Sequence, residues 1–321
     1  MMMWCWPFGL VDRFTQDWGL LIKWPARAIG YLAVLMIAFL MFVAVIYGAR
    51  SLRYNMDKVA EMPARTVVYA RDGRSEIGRL HGDNRYLVRY DQVAKEFKDA
   101  LISREDARFY SHFGVDIKGV IRATVENIKR RRFAQGASTI SIQLAENTWF
   151  PPDSGKKKSS LQLIDQKLLE MALAWRIERS YDKSKILEHY MNRIFWGHSI
   201  RGVESASRTY FEKPASQLTL SESAMLAGII RGPNAFSPFK NIAAATRERD
   251  VTLGRMVNYG HITDEQAEIA KRQDLVVRPA YRRVVLDSYV MDAVRRELDR
   301  ILEEHNIEYG GLTVITTVDH T

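Results

Sequence analysis

Lys95–Tyr110 reads KEFKDALISREDARFY. Its apolar residues fall three and four apart, which winds one apolar stripe along an α-helix and leaves the charges on the other side. The same period runs through IKGVIRATVENIKRRR (117–132) and TISIQLAENTWF (139–150), until Pro151-Pro152 stops it. After a polar, basic loop, DSGKKKSS, a long helix is predicted from Leu161 to Glu178, and another from Asp182, whose carboxylate can cap the free amides at its start. Thr219–Glu222 is a capping-box pattern ahead of AMLAGII, and Gly232-Pro233 ends that helix. Further helical runs reach to about His305. The body, 95–305, is therefore expected to be mainly α.

Outward from that body the composition changes. Ala28–Ala49, AIGYLAVLMIAFLMFVAVIYGA, is about 22 residues without a charge, enough to cross a ~30 Å hydrocarbon layer as a helix. Lys23 and Arg27 precede it, Arg50 and Arg53 follow it, and Trp24, Tyr31, Tyr47 and Tyr54 stand near its ends, where interfacial aromatics settle. Residues 28–49 read as an uncleaved transmembrane helix behind an N-terminal segment, 1–27, and the flanking charges do not settle its orientation. Residues 50–94 hold short β-prone runs broken at Asp72-Gly73 and Gly82-Asp83, a small membrane-proximal β element. Residues 306–321 alternate like a linker strand. The lone cysteine, Cys5, excludes an intrachain disulfide. A net charge of +9 favours anionic partners. Nucleic acid is the weakest of these, because the basic residues are dispersed.

Three stretches carry the chemistry: SREDARFYSHFGVD around Glu105, QGASTISIQLAEN around Ser138 and Thr139, and DQKLLEMALAWRIE around Glu170. A carboxylate at a helix end, partly buried, has a raised pKa and makes a usable base. Hydroxyls and free amides ahead of a helix suit an anionic ligand. Lys167 and Glu170 stand three apart on one helix face. In order and residue type these stretches resemble the motifs of family 51 glycosyltransferases, which polymerise the glycan strands of peptidoglycan.

The resemblance implies a lysozyme-like transglycosylase domain on one membrane helix. It implies an inverting transfer in which the lipid-pyrophosphate-linked glycan is donor, lipid II is acceptor and the new bond is β-1,4. Glu105 is then the base and Glu170 the carboxylate assisting the donor. Asp106, Ser138, Thr139, Gln143 and Lys167 touch substrate. No obligatory cofactor follows, with Mg or Mn as an optional helper whose ligands are unknown. The partners are lipid II, the growing glycan, the membrane and other wall-building proteins. The resemblance puts residues 1–27 in the cytoplasm and the domain on the periplasmic or extracytoplasmic side of the inner membrane.

Three positions depart from the family pattern: Ile142 and Glu146 replace a glutamine and a lysine, and Gln166 replaces an arginine. Lys156, Lys157 and Lys158 are candidate phosphate contacts that restore the lost charge. The rival readings are an inactive, membrane-anchored scaffold and a lytic, glycan-cleaving enzyme.

Overall fold

In the computed structural model, the described residues are 11–12, 15, 20–62, 66–80, 86–130, 138–151, 158–197, 200–277, 289–301 and 312–319. Two compact units divide the chain: Met1–Asn55 with Lys158–Leu173, and Met56–Lys157 with Ala174–Thr321.

The first unit is built on α1, Leu20–Ser51. Within it Trp24–Ser51 is long and apolar enough to cross a membrane, and none of that window is buried. Its second component is the start of α5, Ser160–Ser180.

The second unit is mostly helical. In chain order it carries α2 (Lys95–Glu105), α3 (Ile117–Arg130), α4 (Ile140–Trp149), the end of α5, α6 (Lys183–Arg193), α7 (Val203–Phe211), α8 (Leu220–Ile229), α9 (Ile242–Asn258), α10 (Asp264–Arg272) and α11 (Tyr289–Ile301). Its centre is α8, buried from Ala224 to Ile229 and flanked by α2 and α9. A helix apolar on every side has to sit inside others. Gly228 permits that approach, since a Cβ there would lie 2.7 Å from the Glu248 carbonyl oxygen on α9. The expected caps are in place. Thr219 Oγ1 accepts from Glu222 N while Glu222 accepts from Thr219 N, and Asp182 Oδ1 accepts from Lys185 N.

The β element is a three-stranded sheet in the order β2-β1-β3. β1 (Thr66–Tyr69) and β2 (Glu76–Leu80) are antiparallel, joined where Asp72 accepts from the amides of Arg74 and Ser75 and Gly73 takes φ +63. β3 (Thr313–Ile315) lies parallel to β1, so the C-terminal stretch set apart as a linker strand completes this sheet. Val68 and Met291 of α11 form a small separate core with Ile77, Val294, Leu298 and Val314 around it. Gly78 lies close under Met291, whose sulfur would be 2.5 Å from a Cβ there. The expected break at Gly82-Asp83 lies outside the described residues.

Candidate active site

α2 ends at Glu105, and the chain turns sharply at Asp106. Asp106 is buried and faces inward. Its Oδ1 and Oδ2 lie 3.0 and 2.9 Å from His112 Nε2, and Oδ2 also accepts from the backbone amide of Ile140 at 3.0 Å. That amide is the first of α4, so the carboxylate meets the positive end of a helix. Thr139 caps the same helix: its Oγ1 accepts from Ile142 N and donates to the Gly114 carbonyl at 2.5 Å. Gly114 sits at φ +82, and a Cβ there would come within 2.9 Å of the α5 backbone at Ala174 and Trp175. The first two motifs are thus bound together by Asp106, His112, Gly114 and Thr139. Asp106 and Thr139 were expected to touch substrate. Here both are 6% exposed or less and spend their polar atoms on this clamp. Ser138, half-buried, stands just ahead of the cap.

The clamp sets α4 so that Gln143 reaches Glu105. Gln143 Nε2 donates to Glu105 Oε2 at 2.9 Å, and Tyr190 on α6 donates its hydroxyl to Gln143 Oε1 at 2.7 Å. The tyrosine fixes which end of the amide faces the carboxylate. Burial pushes the Glu105 carboxyl above its usual range; the Gln143 hydrogen bond and the charges of Arg104 and Arg255 pull it down without cancelling the effect. A carboxylate with raised basicity, oriented by a neutral donor, suits proton abstraction. Tyr190 carried no signal in the sequence, where an aromatic among apolar helix positions reads as packing.

Further partners surround this group. Glu178 accepts from Ser141 Oγ at 2.5 Å and from Lys183 Nζ at 2.8 Å, and Lys183 also donates to the His112 carbonyl and lies 4.3 Å above the Phe109 ring. Glu188 and Asn192 of α6 hold the extended segment before α2: Glu188 accepts from Tyr90 N, and Asn192 bonds both N and O of Val88.

Glu170 and Lys167 belong to the other unit. Glu170 is 1% exposed. Its Oε1 accepts from Gln166 Nε2 at 2.6 Å, and Lys167 Nζ lies 2.8 Å from Oε2 as an ion pair without hydrogen-bond alignment. Lys158 Nζ stands 2.5 Å from Gln166 Oε1. The chain Lys158–Gln166–Glu170 brings a cation to the position that departs from the family pattern. Lys156 and Lys157 lie outside the described residues. Ile142, another departure, is 3% exposed and packs inward, so its side chain presents no face to a ligand. Among the described residues no group of three or more His, Cys, Asp or Glu is placed to hold a metal ion. Glu170 offers one carboxylate, its Oε1 hydrogen-bonded by Gln166 and its buried Oε2 ion-paired with Lys167. A single carboxylate makes no all-protein cage for Mg or Mn, ions that are commonly held by one or two carboxylates together with substrate phosphates.

The transglycosylase family model matches residues 73–257, which contain the clamp, the Glu105 group and the Glu170 group. The chain belongs to the transglycosylase family. Among its relatives, penicillin-binding protein 1A of Aquifex aeolicus is 32% identical over 296 residues, covering 91% of this chain and 38% of that protein. Penicillin-binding protein 2D of Bacillus subtilis is 36% identical over 273 residues, covering 83% and 38%. The chain therefore spans well under half the length of these relatives. The crystal structure of penicillin-binding protein 1A from Haemophilus influenzae aligns at a TM-score of 0.46 and 24% identity, covering 80% of this chain and 27% of that one, a likeness too low to carry a conclusion.

Proposed function

We propose that this transglycosylase is a peptidoglycan glycosyltransferase that polymerises lipid II into β-1,4-linked glycan strands. Glu105 takes the proton from the acceptor 4-hydroxyl as that oxygen bonds to the donor sugar's C1. The C1–oxygen bond to pyrophosphate breaks with inversion, and its electron pair leaves with the polyprenyl pyrophosphate. Lys167, half-exposed beside Glu170, meets the developing phosphate charge, and Lys158 adds a second cation through Gln166. A divalent cation, where one takes part, arrives with the substrate. On this reading α1 anchors the chain once in the cytoplasmic membrane, with the body on the extracytoplasmic side beside lipid II and other wall-building proteins.

The observation that carries this reading is the Tyr190–Gln143–Glu105 chain, which aims a neutral donor at a carboxylate whose basicity burial has raised. The test is polymerisation of labelled lipid II by the membrane-reconstituted chain, resolved on a gel, with Glu105→Gln and Glu170→Gln alongside. Long glycan from the wild type and none from either variant is expected. Absence of polymer from the wild type, with lipid II still bound, would replace transfer by a scaffold role, and soluble muropeptides released from purified sacculi would replace it by glycan cleavage.

A further inference from the structure

In the first unit, the C-terminal end of α1 is tied to α5 through one side chain. Arg50 Nη1 and Nη2 lie 2.5 and 2.9 Å from Oδ1 and Oδ2 of Asp165, and the Tyr47 hydroxyl donates to Oδ1 at 2.6 Å. The Arg50 guanidinium also stacks 4.8 Å from the centre of the Tyr47 ring. A planar guanidinium meeting both oxygens of a carboxylate fixes direction as well as distance.

Asp165 occupies a particular flank of its helix. At about 100° per residue, Leu161, Ile164, Asp165 and Leu168 share one side, Gln166 and Glu170 turn away from it, and Lys167 lies at its edge next to Ile164. From Asp165 to Glu170 is roughly 7.5 Å of rise and 140° of rotation. Setting Asp165 therefore sets the height and rotation of Glu170. The Asp165 side of the start of α5 is also apolar and uncovered: Leu161 and Ile164 are 79% and 58% exposed, with Lys158 exposed just ahead of them. Exposed aliphatic residues beside a lysine have the composition of a segment that lies in a membrane interface. Their tether is the end of a helix long and apolar enough to span a bilayer, and that end carries the tyrosine and arginine suited to headgroup depth. This continuity identifies the occupant of the exposed flank as lipid.

We propose that Arg50, Tyr47 and Asp165 form a latch that seats the first turns of α5 in the headgroup layer, and so sets the depth and rotation at which Lys167 and Glu170 meet a lipid-linked substrate. The seating stands on the geometry alone; the effect on substrate rests on the functional reading above. Asp165 is a positioning residue, with no contact to the reacting atoms.

The test uses the full chain in vesicles of phosphatidylethanolamine and phosphatidylglycerol. Cys5→Ser removes the only native thiol, and Leu161→Cys takes an environment-sensitive fluorophore. Nitroxides carried near the lipid headgroup should quench that label when Asp165 is intact, lose most of the quenching in Asp165→Asn, and regain part of it in Asp165→Glu. In the unlabelled chain, Asp165→Asn should raise the apparent KM for vesicle-embedded lipid II roughly fivefold, the upper range for a partly exposed ion pair, with kcat nearly unchanged. Turnover of a short-chain substrate in detergent should stay at the wild-type level. A label unquenched in the wild-type background, or quenched equally in Asp165→Asn, overturns the latch. Quenching lost while the KM stays put overturns the substrate-positioning half. If the chain makes no polymer at all but Asp165→Asn still loses quenching, the latch stands and the functional reading falls.

Discussion

Replacing Gln143 by methionine keeps the length of the side chain and deletes the amide that donates to Glu105 Oε2. The donor stabilises the ionised carboxylate, so its removal lifts a pKa that burial has already raised. A hydrogen bond to a charged group contributes about 1.5–3 kcal/mol, and one pKa unit corresponds to about 1.36 kcal/mol, which brackets the rise at roughly one to two units. Glu105 keeps some contact with water, so the lower end of that range applies. A base must be unprotonated to act. The acid limb of the kcat/KM profile for lipid II polymerisation should therefore move about one unit to higher pH in Gln143→Met. Tyr190→Phe, which leaves the amide free to turn over, should move it the same way by less and cost about 1 kcal/mol of folding stability for the buried carbonyl left without its donor. Initial rates with fluorescent lipid II across the acid and neutral range would measure both. A uniform fall in rate with the limb unmoved would refute the argument, because it would place Gln143 on the substrate rather than on the ionisation of Glu105.

Gly114→Ala should cost about 2–5 kcal/mol, from ~1–2 for a left-handed backbone position and ~1–3 for a Cβ driven against the α5 backbone, and urea unfolding should show it along with lost turnover. Glu248→Ala strips the buried Arg104 guanidinium of its partner and should destabilise the body by about 3–5 kcal/mol, whereas Glu268→Ala, on an exposed pair with Lys271, should change denaturant midpoints little. Because the raised Glu105 pKa means that the folded state disfavours the charged form, its contribution to stability is intact below the ordinary carboxylate range and is lost as pH rises through the folded value. Glu105→Gln should accordingly raise Tm at neutral pH and leave it unchanged in acid; a lower Tm at neutral pH would contradict the sign.

The helical body was legible because its signals are local. Alternation of three and four, Pro151-Pro152, Asp182 and the Thr219–Glu222 box each act within a turn or two of chain, and the helices begin and end where they predict to within a few residues. The sheet was legible only in half. Thr66–Leu80 announces a hairpin through Asp72-Gly73, but nothing near Thr313 says that it will lie beside Val67, because a parallel partner is chosen by packing across the whole chain rather than by a turn. Gly78 is the residual clue. A glycine inside a strand marks a close approach, here by Met291.

The site was legible as residue types but not as roles. Glu105 and Gln143 were both picked out and do meet, yet a list of polar residues does not separate those that face a ligand from those that hold the fold. Asp106 and Thr139 have the chemistry of binding groups and are used up internally, because the same burial that raises the basicity of Glu105 leaves the first amides of α4 without water. Such amides need acceptors, and Thr139 and Asp106 are the ones the chain supplies. The departures resolve by the same reasoning. Ile142 is buried, where an amide would have to find hydrogen-bond partners to offset its loss of water and an aliphatic side chain makes no such demand. Gln166 is different. It lies between Lys158 and Glu170 with its carbonyl toward one and its amide toward the other, which a guanidinium, having no acceptor, could not do. Exchange of an arginine for glutamine at this position thus leaves Glu170 hydrogen-bonded while moving the positive charge to a residue eight positions earlier in the chain.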